Sequence, residues 1–220
     1  RHRAWSRFVG IPQGLSPFYA GGTEEWAVLM GDKSMASMVP SAANELLRKL
    51  TGKQITKFVR YSWWPASEVS THCDIEDKMA FSLTAGPLVI YFEGDIILGF
   101  SSDPSLNSII VWDEGARGAS QSSISLDRDE ELFAISDFGR FATDFWKQLI
   151  GAWVNGVTIL KRGHMSTKEH QRPSEVGLRF DISGGKSFVL SHGLHDDSDD
   201  FSVLEESQVN AVGLEEIPLS

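Results

Sequence analysis

Between Met79 and Glu114 the chain packs short strand-like runs at close spacing: Ala80-Phe81-Ser82-Leu83, Leu88 to Phe92, Ile96 to Phe100 and Ile109 to Trp112. Gly86-Pro87, Glu93-Gly94-Asp95 and Asp103-Pro104-Ser105 separate them. Gly, Pro, Asn and Asp in these positions turn the backbone sharply, and the gaps are too short for crossover helices, so the stretch predicts a four-stranded antiparallel meander. Its two middle runs are almost continuously apolar, which predicts cover on both faces.

The flanking pattern extends this picture. Ser41 as N-cap, Glu45 in the early turns, an apolar stripe at Leu46, Leu47 and Leu50, and Gly52 as a stop predict a helix ending near Thr51. Residues 54–63 then alternate as a strand until Pro65, and 66–76 read as loop. After a Gly- and Ser-rich loop over 115–123, a strand is expected at about 124–135. A helix should follow, because Phe138, Phe141, Phe145, Trp146, Leu149, Ile150 and Trp153 recur at three- and four-residue steps. A strand at 157–160, a hairpin of 176–182 with 187–191 through Gly184-Gly185, and a short strand at 201–204 complete the series. No internal repeat is visible, and no βαβ alternation. The expected class is α+β: a large, mostly antiparallel sheet, meander plus C-terminal hairpin, packed by two or three helices. Residues 1–38 read as an irregular N-terminal segment, and 39–220 as a single domain whose tail beyond Gln208 is loosely attached.

Composition narrows the function classes. The 220 residues are 41% hydrophobic, enough for a sizeable core. The longest apolar runs are about five residues, against the ~20 of a spanning helix, and no charged-then-apolar leader opens the chain. Cys73 is the single cysteine, so no internal disulfide forms and a reducing, cytoplasmic setting is expected. The formal net charge is −10, and it is graded: residues 1–60 hold nine basic and four acidic side chains, whereas 174–220 hold two basic and ten acidic. The acidic run Asp196, Asp197, Asp199, Asp200, Glu205 and Glu206 repels nucleic-acid phosphate and favours a basic protein.

Candidate chemistry is sparse. Ser183-Gly184-Gly185-Lys186-Ser187 looks like the end of a phosphate-binding loop, but Phe180 stands where that loop needs glycine and strand-like residues follow, so a Gly-Gly hairpin turn is expected. His192 and His195 beside Asp196 suggest a metal-dependent hydrolase as an alternative, although a spacing of three on a strand points the rings to opposite faces. Cys73 after His72 lacks an orienting third group, and no nucleophile elbow or dinucleotide loop occurs. No catalytic residue, metal or cofactor is therefore assigned. Trp63 and Trp64 end a strand, where one ring of an adjacent pair faces outward and could anchor a partner.

The stretch from Phe58 to Glu206 resembles immunity proteins of bacterial polymorphic toxin systems. The residues that carry the resemblance are Leu88-Val89-Ile90-Tyr91-Phe92, Ser108-Ile109-Ile110-Val111-Trp112-Asp113-Glu114 and the segment from Ser191-His192-Gly193-Leu194-His195 to Phe201. The resemblance implies a cytoplasmic, non-enzymatic protein that binds one cognate toxin domain and occludes its active site or holds it inactive, and the acidic C-terminal region is what a partner of a basic nuclease is expected to carry. Asp196, Asp197, Asp199, Asp200, Glu205 and Glu206 would then supply carboxylates, with Trp63 or Trp64 as apolar anchor. A non-catalytic adaptor subunit is a further alternative.

Overall fold

The computed structural model describes residues 36–120, 125–163, 167, 169–196 and 200–219. Of the segment 1–38, residues 1–35 lie outside the described residues, while Met38 exchanges two backbone hydrogen bonds with Val111. Among the described residues, ten strands form two antiparallel sheets with few helices, an α+β fold. The first sheet contains β1 (Ile55–Ser62), β2 (Leu88–Phe92), β3 (Ile96–Asp103), β4 (Ser108–Asp113) and β5 (Phe133–Ser136), in the order β4-β3-β2-β1-β5. The second contains β6 (Val154–Arg162), β7 (Gly177–Ile182), β8 (Lys186–His192), β9 (Phe201–Glu205) and β10 (Leu214–Leu219), in the order β10-β6-β7-β8-β9. The expected meander and C-terminal hairpin are both present, one in each sheet. Gly184 and Gly185, at φ of 82° and 75°, turn the β7–β8 hairpin within a three-residue loop between Ile182 and Lys186.

Several local expectations change. Residues 66–76, read as loop, hold helix α2 (Ala66–Cys73), which follows α1 (Asn44–Arg48) and ends where Asp74 takes φ of 53°. Ala80-Phe81-Ser82-Leu83 is not a strand but helix α3 (Ala80–Leu83), and the fourth strand of the meander is β1. A four-residue apolar run has no period long enough to tell the two apart. The loop over 115–123 contains helix α4 (Glu114–Ala119), because the Asp113 carboxylate accepts the Ala116 N–H as its cap. The strand expected at 124–135 shortens to β5 after a 3-10 turn at Leu126–Arg128, with residue 124 outside the described residues. The long aromatic helix contracts to α5 (Asp144–Lys147): Gly139 and Gly151 adopt positive φ on either side and break it. Beyond Gln208, residues 214–219 are not loose but pair along β6 as β10.

The two sheets are built alike, an internal repeat that the sequence does not display. Each is a four-strand meander with the fifth strand added on the far side of its first strand. The ladders run in the same register: Val59 faces Val89, which faces Gly99, which faces Trp112; correspondingly Thr158 faces Arg179, Val189 and Leu204. The ladder irregularity falls at the same place, between Ile55 and Lys57 in one sheet and between Val154 and Gly156 in the other. Where the halves meet, their hydrogen bonds exchange as across a two-fold axis. Gly52 N–H donates to Val154 O and Gly151 N–H to Ile55 O, at 2.8 and 2.7 Å; Ile55 N–H donates to Ala152 O and Val154 N–H to Lys53 O, at 3.0 and 2.9 Å. Such reciprocal bonding is what an isologous contact produces.

Alternation along each strand decides what meets between the sheets. Phe58, Ile90, Phe100, Phe180, Phe188 and Val203 point inward and form one core with Trp146 of α5. Val59, Tyr61, Val89 and Trp112 point outward under a second cluster with Leu126. Arg60, in the position of Ile159, is fully buried on the inner face. Its Nη2 donates to the carbonyls of Thr84 and Phe201, and the guanidinium lies 4.5 Å over the Phe201 ring. Burial pushes this guanidinium down to about 9. Below that pH it is charged in the folded and unfolded chain alike. As pH rises through 9 the folded state sheds its proton first, the unfolded state holds more protons, and the contribution of Arg60 to stability increases. Tyr61 acts oppositely: burial, then Tyr91, Asp127 and Glu114, raise its phenol, so above about pH 10 the unfolded chain ionises first and stability falls. Arg60→Met should therefore lose stability relative to wild type as pH climbs from about 8 to 10.5. Urea midpoints across that range measure it, and a pH-independent difference would contradict the assignment.

Candidate functional site

Of the residues singled out by sequence, Asp200 directly precedes β9, and Glu205 and Glu206 lie at its far end. Trp63, just past the end of β1, is half exposed, while Trp64 stacks on His72 with ring centroids 4.9 Å apart. Asp200 lies near Cys73: burial first, and then the Asp200 charge, raise that thiol. Asp196 is exposed, and Asp197 and Asp199 lie outside the described residues. At the other end, about 17 Å away along a five-residue strand, Glu205 and Glu206 diverge. Glu205 closes a capping box with Gln208, a local structural task. Glu206 reaches outward and accepts the Ser187 hydroxyl.

Around Glu206 the sheet assembles a group that no sequence motif announces. Arg179 on β7 donates to Glu216 of β10 at 2.7 Å, pairs through Nε with Asp181 at 3.2 Å, and lies 3.9 Å from Glu206. Arg179 and Asp181 share a face because they are two apart on a strand, and antiparallel pairing brings β10 alongside through β6. The hydrogen bond from Arg179 holds the Glu216 carboxyl below its ordinary value, and the same bond raises the guanidinium. Three carboxylates around one cation leave a negative surface open to solvent.

The outer face of the first sheet carries a cavity of about 240 Å³. Tyr61 and Tyr91 from β1 and β2, Glu114 from α4 and Asp127 from the 3-10 turn border it. Glu114 is almost fully buried and accepts the Leu126 N–H at 2.8 Å and the Trp112 indole N–H. Asp127 accepts the Ser125 hydroxyl.

His192 is buried on the inner face of β8, and His195 is exposed in the following loop. Among the described residues no three His, Cys, Asp or Glu side chains converge as metal ligands, and no helix is long and apolar enough to cross a membrane. In comparisons with known proteins, no family model, no curated protein and no solved structure matches the chain.

Proposed function

We propose that this chain is an immunity-type inhibitor: a cytoplasmic, non-enzymatic protein that binds a basic toxin domain and blocks its active site. The observation that supports this reading is the carboxylate surface of the second sheet, where Asp181, Glu206 and Glu216 surround a single Arg179. Its setting is the most acidic part of the sequence, residues 174–220 with two basic and ten acidic side chains. A surplus of fixed carboxylates attracts a basic surface over about a Debye length and speeds productive encounter. Against a nuclease it also presents negative charge where the enzyme expects phosphate.

The test has two stages. Tagged protein is used to capture its partner from its native cell extract, and the captured gene is then expressed alone and together with this chain. A basic protein that arrests growth, with arrest relieved by co-expression, supports the reading; a partner without toxicity, or a stable multi-subunit assembly, overturns it. For the captured pair, Asp181→Lys with Glu206→Lys should slow association by about tenfold or more at low salt, with the difference shrinking as salt screens the surface. Unchanged association would remove this surface from the interface.

A further inference from the structure

The internal repeat supplies a template for what the cavity on the first sheet holds. Register by register, Arg179 corresponds to Val89, Asp181 to Tyr91, Leu160 to Tyr61, and Ser187 to Ile97. Glu206, directly after the last residue of β9, corresponds to Glu114, directly after the last residue of β4. Val89, Tyr91, Tyr61, Ile97 and Glu114 all line the cavity of about 240 Å³. The place that a guanidinium fills in the second half is therefore an open recess in the first, because valine replaces arginine. The carboxylate at Glu114 is retained, and Asp127 adds a second.

We propose that this recess is a receptor for the guanidinium of an arginine side chain presented by a protein partner. Tyr61 and Tyr91 supply aromatic surface, and Glu114 and Asp127 supply charge. A planar guanidinium both stacks on aromatic rings and pairs with carboxylates, whereas a lysine ammonium does only part of this. The same outer face already attracts the chain's own cations: Lys57 Nζ lies 5.2 Å over the Tyr91 ring, and the Arg117 guanidinium 4.9 Å over Trp112. Burial raises the Tyr91 phenol, and the charges of Asp127 and Glu114 add to it, so both carboxylates act on the ring. Arg128 is the cation among the lining residues, and Arg117, beside the lining, interacts with Glu114. That the arginine belongs to a toxin rests on the function proposed above; the guanidinium site itself rests on the repeat.

The test is an NMR titration of the full chain with Nα-acetyl-arginine N-methylamide, with the citrulline analogue as an uncharged isostere. Saturable shifts at Tyr61, Tyr91 and Gly118, with the citrulline analogue about tenfold weaker or more, are expected. Val89→Arg places a guanidinium where Arg179 has one, and it should abolish the shifts. Should that variant fail to fold, Asp127→Asn provides the second reading, with affinity reduced about tenfold. Equal binding of the citrulline analogue, no saturable shift at these residues, or binding that appears only in Arg128→Ala or Arg117→Ala, which would make the chain's own arginine the occupant, overturns the proposal. Probe binding without any captured toxin leaves the site standing and defeats the immunity reading. A captured toxin without probe binding defeats the site alone.

Discussion

Trp146→Ala is expected to lower the unfolding free energy by about 3–5 kcal/mol, the range for removing a large aromatic from a packed core. Trp146 is completely buried although it sits on a helix of only one turn. Its ring meets Phe58 of the first sheet and Phe188 of the second, each with centroids 5.8 Å apart, and Phe81 of α3 at 5.2 Å. Its indole N–H donates to Ser82 at 3.1 Å. Truncation therefore opens a cavity bounded by both sheets and strands the Ser82 hydroxyl in an apolar site, two costs that add. The position equivalent to Trp146 in the first half is Leu47, also fully buried, so Trp146→Leu should cost roughly half as much. Urea unfolding followed by circular dichroism measures both. A loss below about 1 kcal/mol for the alanine variant would mean that the sheets close over this site without the indole.

Gly99→Val should destabilise by about 3 kcal/mol, and Trp112→Leu should add little or nothing to that loss when combined with it. Gly99 of β3 faces Trp112 of β4, and a side chain at Gly99 would overlap the indole, which lies flat against the glycine. The corresponding pair in the second sheet is Val189 facing Leu204, the reverse partition of similar volume, and both are buried. Trp112→Leu alone leaves a void over Gly99 and removes a hydrogen bond from Glu114, for about 2 kcal/mol. The double variant imports the packing of the other half, so the coupling between the two substitutions should be favourable by about 2 kcal/mol. Additive losses in a double-mutant cycle would show that the two sheets, although alike in register, do not share side-chain packing on their outer faces.

Strands whose own residues carry the signal were legible from sequence. Leu88 to Phe92, Ile96 to Phe100 and the Gly184-Gly185 hairpin combine β-favouring runs with turn residues, and each needs only its neighbours in the chain to be recognised. β10 was not legible, since Leu214-Glu215-Glu216-Ile217-Pro218-Leu219 has no apolar alternation and contains proline; it is an edge strand, held by β6 alone. The aromatic spacing from Phe138 to Trp153 imitates a helix, but its rings are needed in several directions, and Phe138 stays 63% exposed. Glu206 was legible as an acid. Its grouping with Asp181 and Glu216 was not, because the three lie on separate segments and only strand pairing brings them near one another.

The sequence by itself determined the α+β class, most strand positions, the turns and the acidic character of residues 174–220, all of which follow from alternation, turn chemistry and net charge within a few residues. The tertiary structure alone decided that the strands divide into two matching sheets, that a guanidinium is ringed by carboxylates on one, and that a recess lies at the same place on the other. Those features depend on register between segments far apart in the chain. Side-chain alternation and turn length select that register and backbone hydrogen bonds, nearly the same for every residue, hold it, so few shared side chains are needed to repeat it.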